Sequence, residues 1–420
     1  MGAFQRSHME RTVKKYIFDP EMNAGKMIFL TGPRQVGKTT FARNWLAGQK
    51  AGDLYFNWDD PAVAVEYKRN PLFFTNIIND RFDKKPLPLV FDEIHKHKNW
   101  RNILKGIYDT NKEKMTLLVT GSARLGLYRK SGDSLIGRYF SYQMLPLGLS
   151  EAANDFSHIL MTDEPLRTIN TLMDYLRKIK PAGAEENLDR LLAFGGFPEP
   201  FLKNSARFYN RWNTEYKSLL TKEDIRDLSR IADIKGIGQL VELLPSRVGS
   251  LLSVNSIAED MGSHHATINR WLDVLKAIYL IFTLRPWHKN ITRSIKKENK
   301  LYFYDWSNVP EAGRRFENLM AVSLIKMAAR LSETGLGSFE IMHIRNKEKQ
   351  EVDFVLVKNG KPVALFEAKE SDSDISRAGL YFGKQLSVPF FQIIRNCQKA
   401  EAFPGNCAVI PATSFLMITG

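Results

Sequence analysis

The sequence predicts an α/β protein in which a parallel sheet with flanking helices is followed by a helical connector, a small helix-and-hairpin domain and a second α/β domain. Three observations lead to this order. Strand-like and helix-like segments alternate at first, helical periodicity then dominates, and apolar strands return in the C-terminal third. We expect the corresponding domains at 1–150, 151–245, 246–305 and 306–420.

A glycine-rich loop follows the first apolar strand, expected at 27–30, and precedes a helix expected at 40–46. The loop and the first helical residue are Gly32, Pro33, Arg34, Gln35, Val36, Gly37, Lys38, Thr39 and Thr40. Their pattern, G-x-x-x-x-G-K-[ST], is that of a phosphate-binding loop (P-loop), whose backbone N–H groups surround nucleotide phosphates at a helix N-terminus. Lys38 is expected to contact the β- and γ-phosphates, and Thr39 to bind Mg²⁺. We therefore expect ATP or GTP binding; a chance glycine-rich turn is the alternative.

Two carboxylates end the apolar strand expected at 88–91. Acidic residues at the end of such a strand, downstream of a P-loop, are typical of the Walker B segment of an ATPase. Asp92 is expected to bind Mg²⁺ through its water shell. Glu93 is expected to orient and deprotonate the attacking water as the catalytic base. The alternative is a strand that ends in a solvated acidic turn.

Further polar residues are candidates for the same site. Thr120, which ends the third apolar strand, 115–120, and Ser122, two residues later, are alternative candidates to contact the γ-phosphate through a hydroxyl. Arg138 is a candidate arginine finger, which would stabilise the charge on the transferred phosphoryl group. The sequence leaves open whether Arg138 acts within one subunit or across an interface of a homo-oligomer. The alternatives are that a small polar residue merely ends the strand and that Arg138 is an ordinary surface arginine.

The net charge of the chain is strongly positive. In 420 residues, 60 Lys and Arg outweigh 46 Asp and Glu, which gives +14. ATP hydrolysis alone does not need this excess, so we expect a polyanionic partner, with DNA favoured. A basic surface kept for solubility is the alternative. The apolar run 277–284 is too short to span a bilayer, and the 2 cysteines make no disulfide framework. We therefore expect a cytoplasmic protein that does not bind membranes.

A helix expected at 256–262, a turn at Gly262 and a second helix at 264–278 have the spacing of a helix-turn-helix. Strands at 280–287 and 300–304 enclose a basic loop, which gives the outline of a winged helix. In a DNA-binding protein the second helix faces the groove and the loop contacts phosphates. The residues expected to bind nucleic acid are His264, His265, Arg270, Lys289, Arg293, Lys296 and Lys297. Winged helices also bind proteins or cover ATPase sites, so a protein partner stays open.

Charged residues form a second pattern in the C-terminal third. Glu317 lies on an expected helix, and Asp353 lies in an expected strand. Glu367 and Lys369 end the partner strand of the same hairpin. This is the layout of PD-(D/E)xK nucleases, in which carboxylates bind Mg²⁺ and the lysine steadies the attacking water or the scissile phosphate. We expect Glu317, Asp353 and Glu367 to bind the metal, with Asp353, Glu367 and Lys369 catalytic. A half-buried hairpin with solvated charges is the alternative.

The hairpin turn decides whether the two strand carboxylates share a face. A two-residue turn would put Glu367 on the face opposite to Asp353. We expect a three-residue loop, 358–360, which pairs Asp353 with Leu365. Glu367 is then a diagonal neighbour of Asp353 on the same face, close enough to share a metal ion with it.

The order of these motifs resembles that of a prokaryotic ATPase family. Its members join an AAA-type P-loop domain to a C-terminal domain of obscure role with a restriction-endonuclease-like fold. The resemblance covers nearly the whole chain and rests on GPRQVGKTT, LVFDEIHKHKNW, VTGSARL, LIGRYFSYQMLPLGLSE, GGFPEP, KLYFYDW, FENLMAVSL, EVDFVLV and FEAK. It implies ATP binding by Gly37, Lys38, Thr39, Asp92 and Glu93. It also implies a nuclease-like site at Glu317, Asp353, Glu367 and Lys369.

Two functions are compatible with these patterns. In the first, ATP drives the engagement or remodelling of nucleic acid, and the C-terminal domain cleaves DNA or only binds it. In the second, the protein is a nucleotide-gated switch that regulates a protein partner and has no nuclease activity. ATP binding and hydrolysis with Mg²⁺ belong to both, so the two functions differ in the partner and in the role of the C-terminal carboxylates.

Overall fold

The computed structural model describes residues 9–23, 25–121, 135–179, 183–221, 225, 233–288, 298–371 and 374–420. The chain divides into two compact units, Glu10–Leu145 and Pro146–Gly420. The boundary between them lies close to the one expected at residue 150. The three domains expected after that boundary share one compact unit.

The first unit is a parallel sheet flanked by helices. Its strands in the described residues are β1 (Met27–Thr31), β2 (Tyr55–Asn57), β3 (Leu87–Asp92), β4 (Met115–Thr120) and β5 (Tyr139–Gln143). Its α-helices in the same residues are α1 (Pro20–Asn23), α2 (Lys38–Gly48), α3 (Pro61–Arg69), α4 (Phe73–Arg81) and α5 (Trp100–Asn111). The sheet order is β2-β3-β4-β1-β5, and every neighbouring pair is parallel. The predicted α/β fold of this region is confirmed.

Strand register brings the C-terminal ends of three strands together. Leu30 of β1 and Asp92 of β3 both lie beside Thr120 of β4. These strands are nearly continuous apolar runs because helices cover both faces of a parallel sheet; Ile28 and Leu118, for example, are fully buried. The loops that leave the three ends therefore meet at one edge of the sheet, which is where α/β folds bind their ligands.

The second unit combines helices with a mixed sheet. Its strands in the described residues are β6 (Ile281–Leu284), β7 (Lys300–Phe303), β8 (Phe339–Arg345), β9 (Glu351–Lys358), β10 (Lys361–Lys369), β11 (Phe390–Ile394), β12 (Glu401–Phe403) and β13 (Cys407–Pro411). Its α-helices there are α6 (Leu149–Ala152), α7 (Ile169–Leu176), α8 (Ala184–Phe194), α9 (Pro198–Lys203), α10 (Ala206–Leu219), α11 (Ile234–Leu243), α12 (Val254–Asp260), α13 (His265–Ala277), α14 (Ala312–Glu333), α15 (Arg377–Leu386) and α16 (Ala412–Thr419). Six strands form one sheet in the order β12-β13-β11-β10-β9-β8, and β6 pairs with β7. Within the described part of the chain, no helix has the length and apolar character needed to cross a lipid bilayer.

Backbone hydrogen bonds connect the β6–β7 hairpin to the C-terminal sheet. Strands β6 and β7 are antiparallel, and the chain that leaves β6 pairs with β8, the edge strand of the six-stranded sheet. The backbone N–H of Trp287 donates to the carbonyl of His343 at 2.6 Å, and that of His343 donates to the carbonyl of Arg285 at 3.0 Å. These backbone hydrogen bonds explain why residues 246–305 and 306–420 pack as parts of one unit.

The β9–β10 hairpin has a different turn from the one expected. Lys358 pairs with Lys361 across a two-residue turn, Asn359–Gly360, in which φ is positive at both positions, 51° and 81°. Asn-Gly favours such a turn because both residues tolerate the left-handed conformation. The predicted three-residue loop was therefore wrong, and Asp353 does not pair with Leu365.

A β-bulge nevertheless puts the two carboxylates on the same face. The register shifts between Pro362 and Ala364, so that one extra residue enters β10. In the shifted register Glu367 lies opposite Asp353, and Asp353 Oδ2 accepts the backbone N–H of Ala368 at 3.2 Å. A two-residue turn alone would put Glu367 on the face opposite to Asp353, and the extra residue in β10 returns Glu367 to the same face.

Asn318 joins α14 to β7, and its replacement tests this connection. Its Nδ2 donates to the carbonyl of Phe303 at 2.7 Å, and its Oδ1 accepts the N–H of Phe303 at 2.9 Å. We expect Asn318→Leu, which keeps the volume but leaves both buried backbone groups unpaired, to lower the free energy of unfolding by about 2–4 kcal/mol. Urea denaturation measures this change. The exposed Asn210→Leu on α10 is the control, and an equal loss in both variants would contradict the assignment.

Candidate active site

The P-loop of the first unit requires glycine at two positions. Gly32 has φ of 149°, and a Cβ at this residue would lie 2.1 Å from the carbonyl oxygen of Met144. Gly37 has φ of 102° and precedes α2 directly. A larger residue at Gly32 would collide with the backbone that follows β5, and a side chain at Gly37 would strain the turn into the helix. The two glycines therefore set the path of the loop at the sheet edge.

The ammonium group of Lys38 is held within the loop. Lys38 is only 7% exposed, and its Nζ donates to the carbonyls of Gly32 at 3.0 Å and Pro33 at 2.6 Å. A buried ammonium needs such acceptors because it has lost its water shell. The loop thus holds a positive charge beside the N-terminus of α2, where nucleotide phosphates bind in P-loop proteins.

Asp92 is the centre of the hydrogen-bond network at this edge. Thr39 Oγ1 donates to Asp92 Oδ2 at 2.8 Å, and Thr120 Oγ1 donates to Asp92 Oδ1. Tyr55 Oη, on β2, also donates to Asp92 Oδ2. The carboxylate is 3% exposed, and its oxygens accept hydrogen bonds from three hydroxyl groups on three different elements. The structure therefore brings together Thr39, Asp92 and Thr120 from distant parts of the sequence.

Glu93 follows Asp92 in a left-handed backbone conformation, with φ of 58°. Its backbone N–H donates to the carbonyl of Thr120 at 3.0 Å. Its Oε2 lies 3.5 Å from His95 Nε2 and 3.9 Å from Lys96 Nζ. Burial raises the pKa of Glu93, while the charge of Lys38 opposes this rise. A carboxyl group with a raised pKa near a phosphate-binding loop is suited to accept a proton.

The donor set at this edge fits a Mg²⁺ ion as well as a nucleotide. Mg²⁺ prefers hard oxygen ligands, and the hydroxyl of Thr39 and the carboxylate of Asp92 already lie within one hydrogen bond of each other. These two residues would hold the ion, directly or through water, beside the phosphates that the loop N–H groups and Lys38 would bind.

Arg138 lies at the opposite edge of the sheet from the P-loop. Its carbonyl accepts the backbone N–H of Met27, the first residue of β1, whereas the P-loop leaves the last residue of that strand. Five residues of strand at about 3.3 Å each separate the two edges by about 16 Å. Arg138 instead contacts Asp109 through Nε at 2.7 Å and Nη2 at 3.0 Å. The interpretation of Arg138 as an arginine finger within one subunit is therefore corrected by its position.

The helix-turn-helix candidate consists of α12 and α13. The side chains of His264, His265 and Arg270 are all exposed at the N-terminal part of α13. His264 is the N-cap residue, so the helix begins one residue later than expected. The predicted basic residues between β6 and β7, Lys289, Arg293, Lys296 and Lys297, lie outside the described residues.

The C-terminal carboxylates surround a lysine that the sequence patterns did not single out. Lys300, the first residue of β7, is 1% exposed. Its Nζ lies 2.9 Å from Asp353 Oδ1, 3.4 Å from Glu317 Oε1 and 2.5 Å from Glu351 Oε1. Glu317 Oε1 also accepts a hydrogen bond from Tyr302 Oη at 2.7 Å. We name Lys300, Tyr302, Glu317, Glu351 and Asp353 the Lys300 cluster.

Burial and charge set the protonation of the Lys300 cluster. Burial alone would lower the pKa of Lys300, but the carboxylates, Asp353 first, raise it well above its usual range. Burial, together with the charge of Asp353, raises the pKa of Glu317 to about 7, although Lys300 and Tyr302 oppose the rise. The carboxylates around Lys300 therefore stabilise its ammonium form.

The remaining residues of the predicted nuclease site pair with each other. Lys369 Nζ lies 3.0 Å from Glu367 Oε1 on the same strand. Burial, and then the charge of Asp353, raises the pKa of Glu367. Lys300 Nζ lies 2.9 Å from Asp353 Oδ1 and 3.4 Å from Glu317 Oε1, where a shared metal ion would have to bind. The residues present therefore do not fit the Mg²⁺ site that the PD-(D/E)xK layout implies.

The residues that the sequence patterns missed are Tyr55, Glu351 and the two β7 residues, Lys300 and Tyr302. Tyr55 begins a three-residue strand with no motif around it. Lys300 and Tyr302 alternate with apolar residues in KLYF, and this alternation could have indicated a charged side chain facing the same side as the carboxylates. Their partners lie far away in sequence, so only the folded chain identifies the contacts.

Residues 24–153 match a sequence family described as an AAA domain. The match spans the P-loop, both Walker B carboxylates and Thr120, and it coincides with the parallel sheet. Residues 24–153 form an AAA-type domain. Beyond this AAA-type domain, a family described as a domain of unknown function matches residues 185–311. That match crosses the boundary expected at 245 and ends before Glu317, so the nuclease-like fold of 306–420 stays a prediction.

Proteins similar to most of the chain occur in bacteria and archaea. An uncharacterized protein of Mycobacterium tuberculosis is 21% identical over 372 residues, 85% of this chain and 73% of that protein. One of Methanocaldococcus jannaschii is 25% identical over 366 residues, 83% of this chain and 76% of that protein. Among solved structures, AMPPCP-bound DnaA from Aquifex aeolicus is 16% identical and covers 64% of this chain and 88% of that chain, with a TM-score of 0.28. So low a TM-score supports no structural argument.

The hydrogen bond from Tyr55 to Asp92 should affect how much Mg²⁺ is needed for ATP binding. Tyr55→Phe removes one donor to Asp92 and keeps the ring. Loss of a residue that orients a metal ligand typically costs about tenfold or more in metal affinity. We therefore expect the Mg²⁺ concentration that supports half-maximal ATP binding to rise about tenfold. Titration of Mg²⁺ against a fluorescent ATP analogue measures this shift, with nucleotide binding in EDTA as the control. An unchanged Mg²⁺ requirement would contradict the role of Tyr55.

Proposed function

We propose that the AAA-type domain binds and hydrolyses ATP and that this activity acts on nucleic acid, with DNA favoured. The observation that carries the hydrolysis proposal is the convergence of the P-loop, Asp92 and Glu93 at one sheet edge. Thr39 Oγ1 and Asp92 Oδ2 lie 2.8 Å apart although 53 residues separate them in sequence. Such a convergence of hydroxyl, carboxylate and ammonium groups suits phosphoryl transfer, which depends mainly on positioning and charge stabilisation.

Each residue has a separate task in the proposed reaction. Loop N–H groups and Lys38 bind the phosphates and neutralise their charge, while Thr39 and Asp92 would hold Mg²⁺, which supplies further positive charge when bound. Glu93 accepts a proton from the attacking water. Glu93 lies directly after β3 in a left-handed backbone conformation, with φ of 58°. Tyr55 and Thr120 fix the orientation of Asp92 through hydrogen bonds.

Replacement of Glu93 separates ATP binding from hydrolysis. Glu93→Gln keeps the shape but cannot accept the proton, so we expect turnover to fall by about 10²–10⁴ while ATP binding persists. In the unmutated protein, turnover should be lost as the pH falls through the pKa of Glu93. That pKa lies above the ordinary value of 4.5 because the group is buried. Steady-state turnover against pH measures the profile, with Lys38→Ala as the blank. Full activity in Glu93→Gln would exclude Glu93 as the base.

Charge and the exposed face of α13 support the nucleic-acid part of the proposal. The net charge of +14 favours a polyanionic partner. His264, His265 and Arg270 are exposed near the start of the second helix of the α12–α13 pair, which is the part of a helix-turn-helix that contacts base edges. The second candidate is a nucleotide-gated switch that acts on a protein partner. It is favoured by Lys300, whose ammonium group lies beside Glu317 and Asp353, where a nuclease would hold its metal ion.

ATP turnover with added nucleic acid distinguishes the two candidates. We expect duplex DNA, titrated at fixed salt, to stimulate turnover more than single strands or RNA. The triple variant His264→Ala, His265→Ala, Arg270→Ala should need about tenfold more DNA for the same stimulation. Arg211→Ala on α10 is the control, because it also removes one arginine from an exposed position. It should behave like the unmutated protein. A flat response to all three nucleic acids, with turnover intact, would favour the protein-partner switch.

A further inference from the structure

We infer that the ammonium group of Lys300 takes the place of the metal ion at the nuclease-like site, so that this site does not bind Mg²⁺ and does not cleave phosphodiester bonds. The inference concerns the second unit only and is independent of ATP hydrolysis by the AAA-type domain. It replaces the prediction that Glu317, Asp353 and Glu367 share a catalytic metal.

Three carboxylates surround the ammonium group of Lys300, one for each of its N–H donors. An ammonium group has three N–H donors, and three carboxylates lie around Nζ, at 2.9 Å for Asp353, 3.4 Å for Glu317 and 2.5 Å for Glu351. A metal ion that bridged Glu317 and Asp353 would have to occupy the volume between their oxygens. Nζ occupies that volume, and its side chain is only 2% exposed.

The charges of the cluster also oppose a metal ion. Arg345 Nη1 lies 3.0 Å from Glu351 Oε2, so a second cation already compensates one of the carboxylates. A divalent cation would meet Lys300 at a separation at which like charges repel strongly in a buried site. Glu367, the third predicted metal ligand, contacts Lys369 at 3.0 Å. Each predicted ligand therefore has a protein cation within hydrogen-bonding distance.

The cluster connects three elements that are distant in sequence. Lys300 begins β7, Glu317 lies on α14, and Asp353 lies on β9. Gly249, with φ of 72°, brings backbone so close to the cluster that a Cβ there would lie 2.8 Å from Glu317 Oε2. Loss of the central cation would leave the half-buried carboxylates of Glu317, Glu351 and Asp353 facing one another without the compensating charge of Lys300, which is unfavourable. The inferred role of Lys300 is therefore to hold these elements together.

Substitution of Lys300 tests this inference, because a divalent cation should then replace the ammonium. We expect Lys300→Met, without nucleotide and in EDTA, to lower the midpoint of thermal unfolding by several degrees. Millimolar Mn²⁺ should recover roughly half of this loss or more, since a ligand that binds only the folded state stabilises it. The unmutated protein and Lys300→Arg, which keeps the positive charge, should show no such Mn²⁺-dependent shift.

Lys358→Met is the matched control. Lys358 Nζ lies 2.9 Å from Oδ1 of Asp163, a carboxylate that is 3% exposed, and Arg167 Nε also lies 3.1 Å from that carboxylate. Lys358→Met therefore takes a cation from one buried acid, whereas Lys300→Met takes it from three carboxylates. We expect a loss of stability without recovery by Mn²⁺. Recovery in Lys358→Met equal to that in Lys300→Met would show a general effect of Mn²⁺ and would overturn the inference.

Two measurements on the full chain test the inference even if Lys300→Met does not fold. Electron paramagnetic resonance of nucleotide-free protein with Mn²⁺ should show the same bound Mn²⁺ in the unmutated protein and in Asp353→Asn. A panel of duplex and single-stranded DNA, incubated with ATP and Mg²⁺, should stay uncut. Bound Mn²⁺ that disappears in Asp353→Asn, or Mg²⁺-dependent cleavage lost in that variant, would establish a metal site and overturn the inference.

Discussion

A buried charge must be paired, and both candidate sites of this protein depend on that constraint. In the first unit, Asp92 is 3% exposed and accepts hydrogen bonds from Thr39, Tyr55 and Thr120. In the second, Lys300 is 1% exposed and lies among three carboxylates. An unpaired charge at either position would cost several kcal/mol of desolvation. The partners of each charge are therefore as important as the charge itself, and they connect elements that the chain order keeps apart.

The same constraint leads to different chemistry in the two units. At the AAA-type domain, the network around Asp92 consists of neutral hydroxyl donors, which leaves the carboxylate's negative charge available for a cation. At the Lys300 cluster, the compensating group is itself a cation, so the charge is neutralised within the protein. Under the proposed function, the carboxylate of Asp92 would hold a metal ion with ATP, whereas we infer that the carboxylates around Lys300 stabilise the fold. The difference lies in the donors, which no acidic motif specifies.

Local patterns in the sequence predicted the P-loop and the strands around it, because these features depend on residues that are neighbours along the chain. The hairpin loop was predicted wrongly, because in a regular hairpin only a three-residue loop puts Glu367 and Asp353 on the same face. The structure has a two-residue turn at Asn359 and Gly360, and a bulge in β10 puts the two carboxylates on the same face. The expectation that Arg138 acts on the P-loop of its own subunit was wrong for a topological reason. Arg138 precedes β5, and in a parallel sheet that end lies opposite to the P-loop.

The sequence by itself determined the AAA-type domain, its phosphate-binding loop and the two carboxylates at the end of β3, Asp92 and Glu93, because each depends on spacing within a short segment. Only the tertiary structure decided what those carboxylates contact, since Tyr55, Thr120 and Asp92 meet through the order of strands in the sheet. It also decided the character of the C-terminal site. Lys300 and Asp353 are 53 residues apart, and the motif D…ExK contains no information about a cation from another strand. Strand pairing and helix packing place that cation between the carboxylates, and the cost of burying unpaired charge keeps it there.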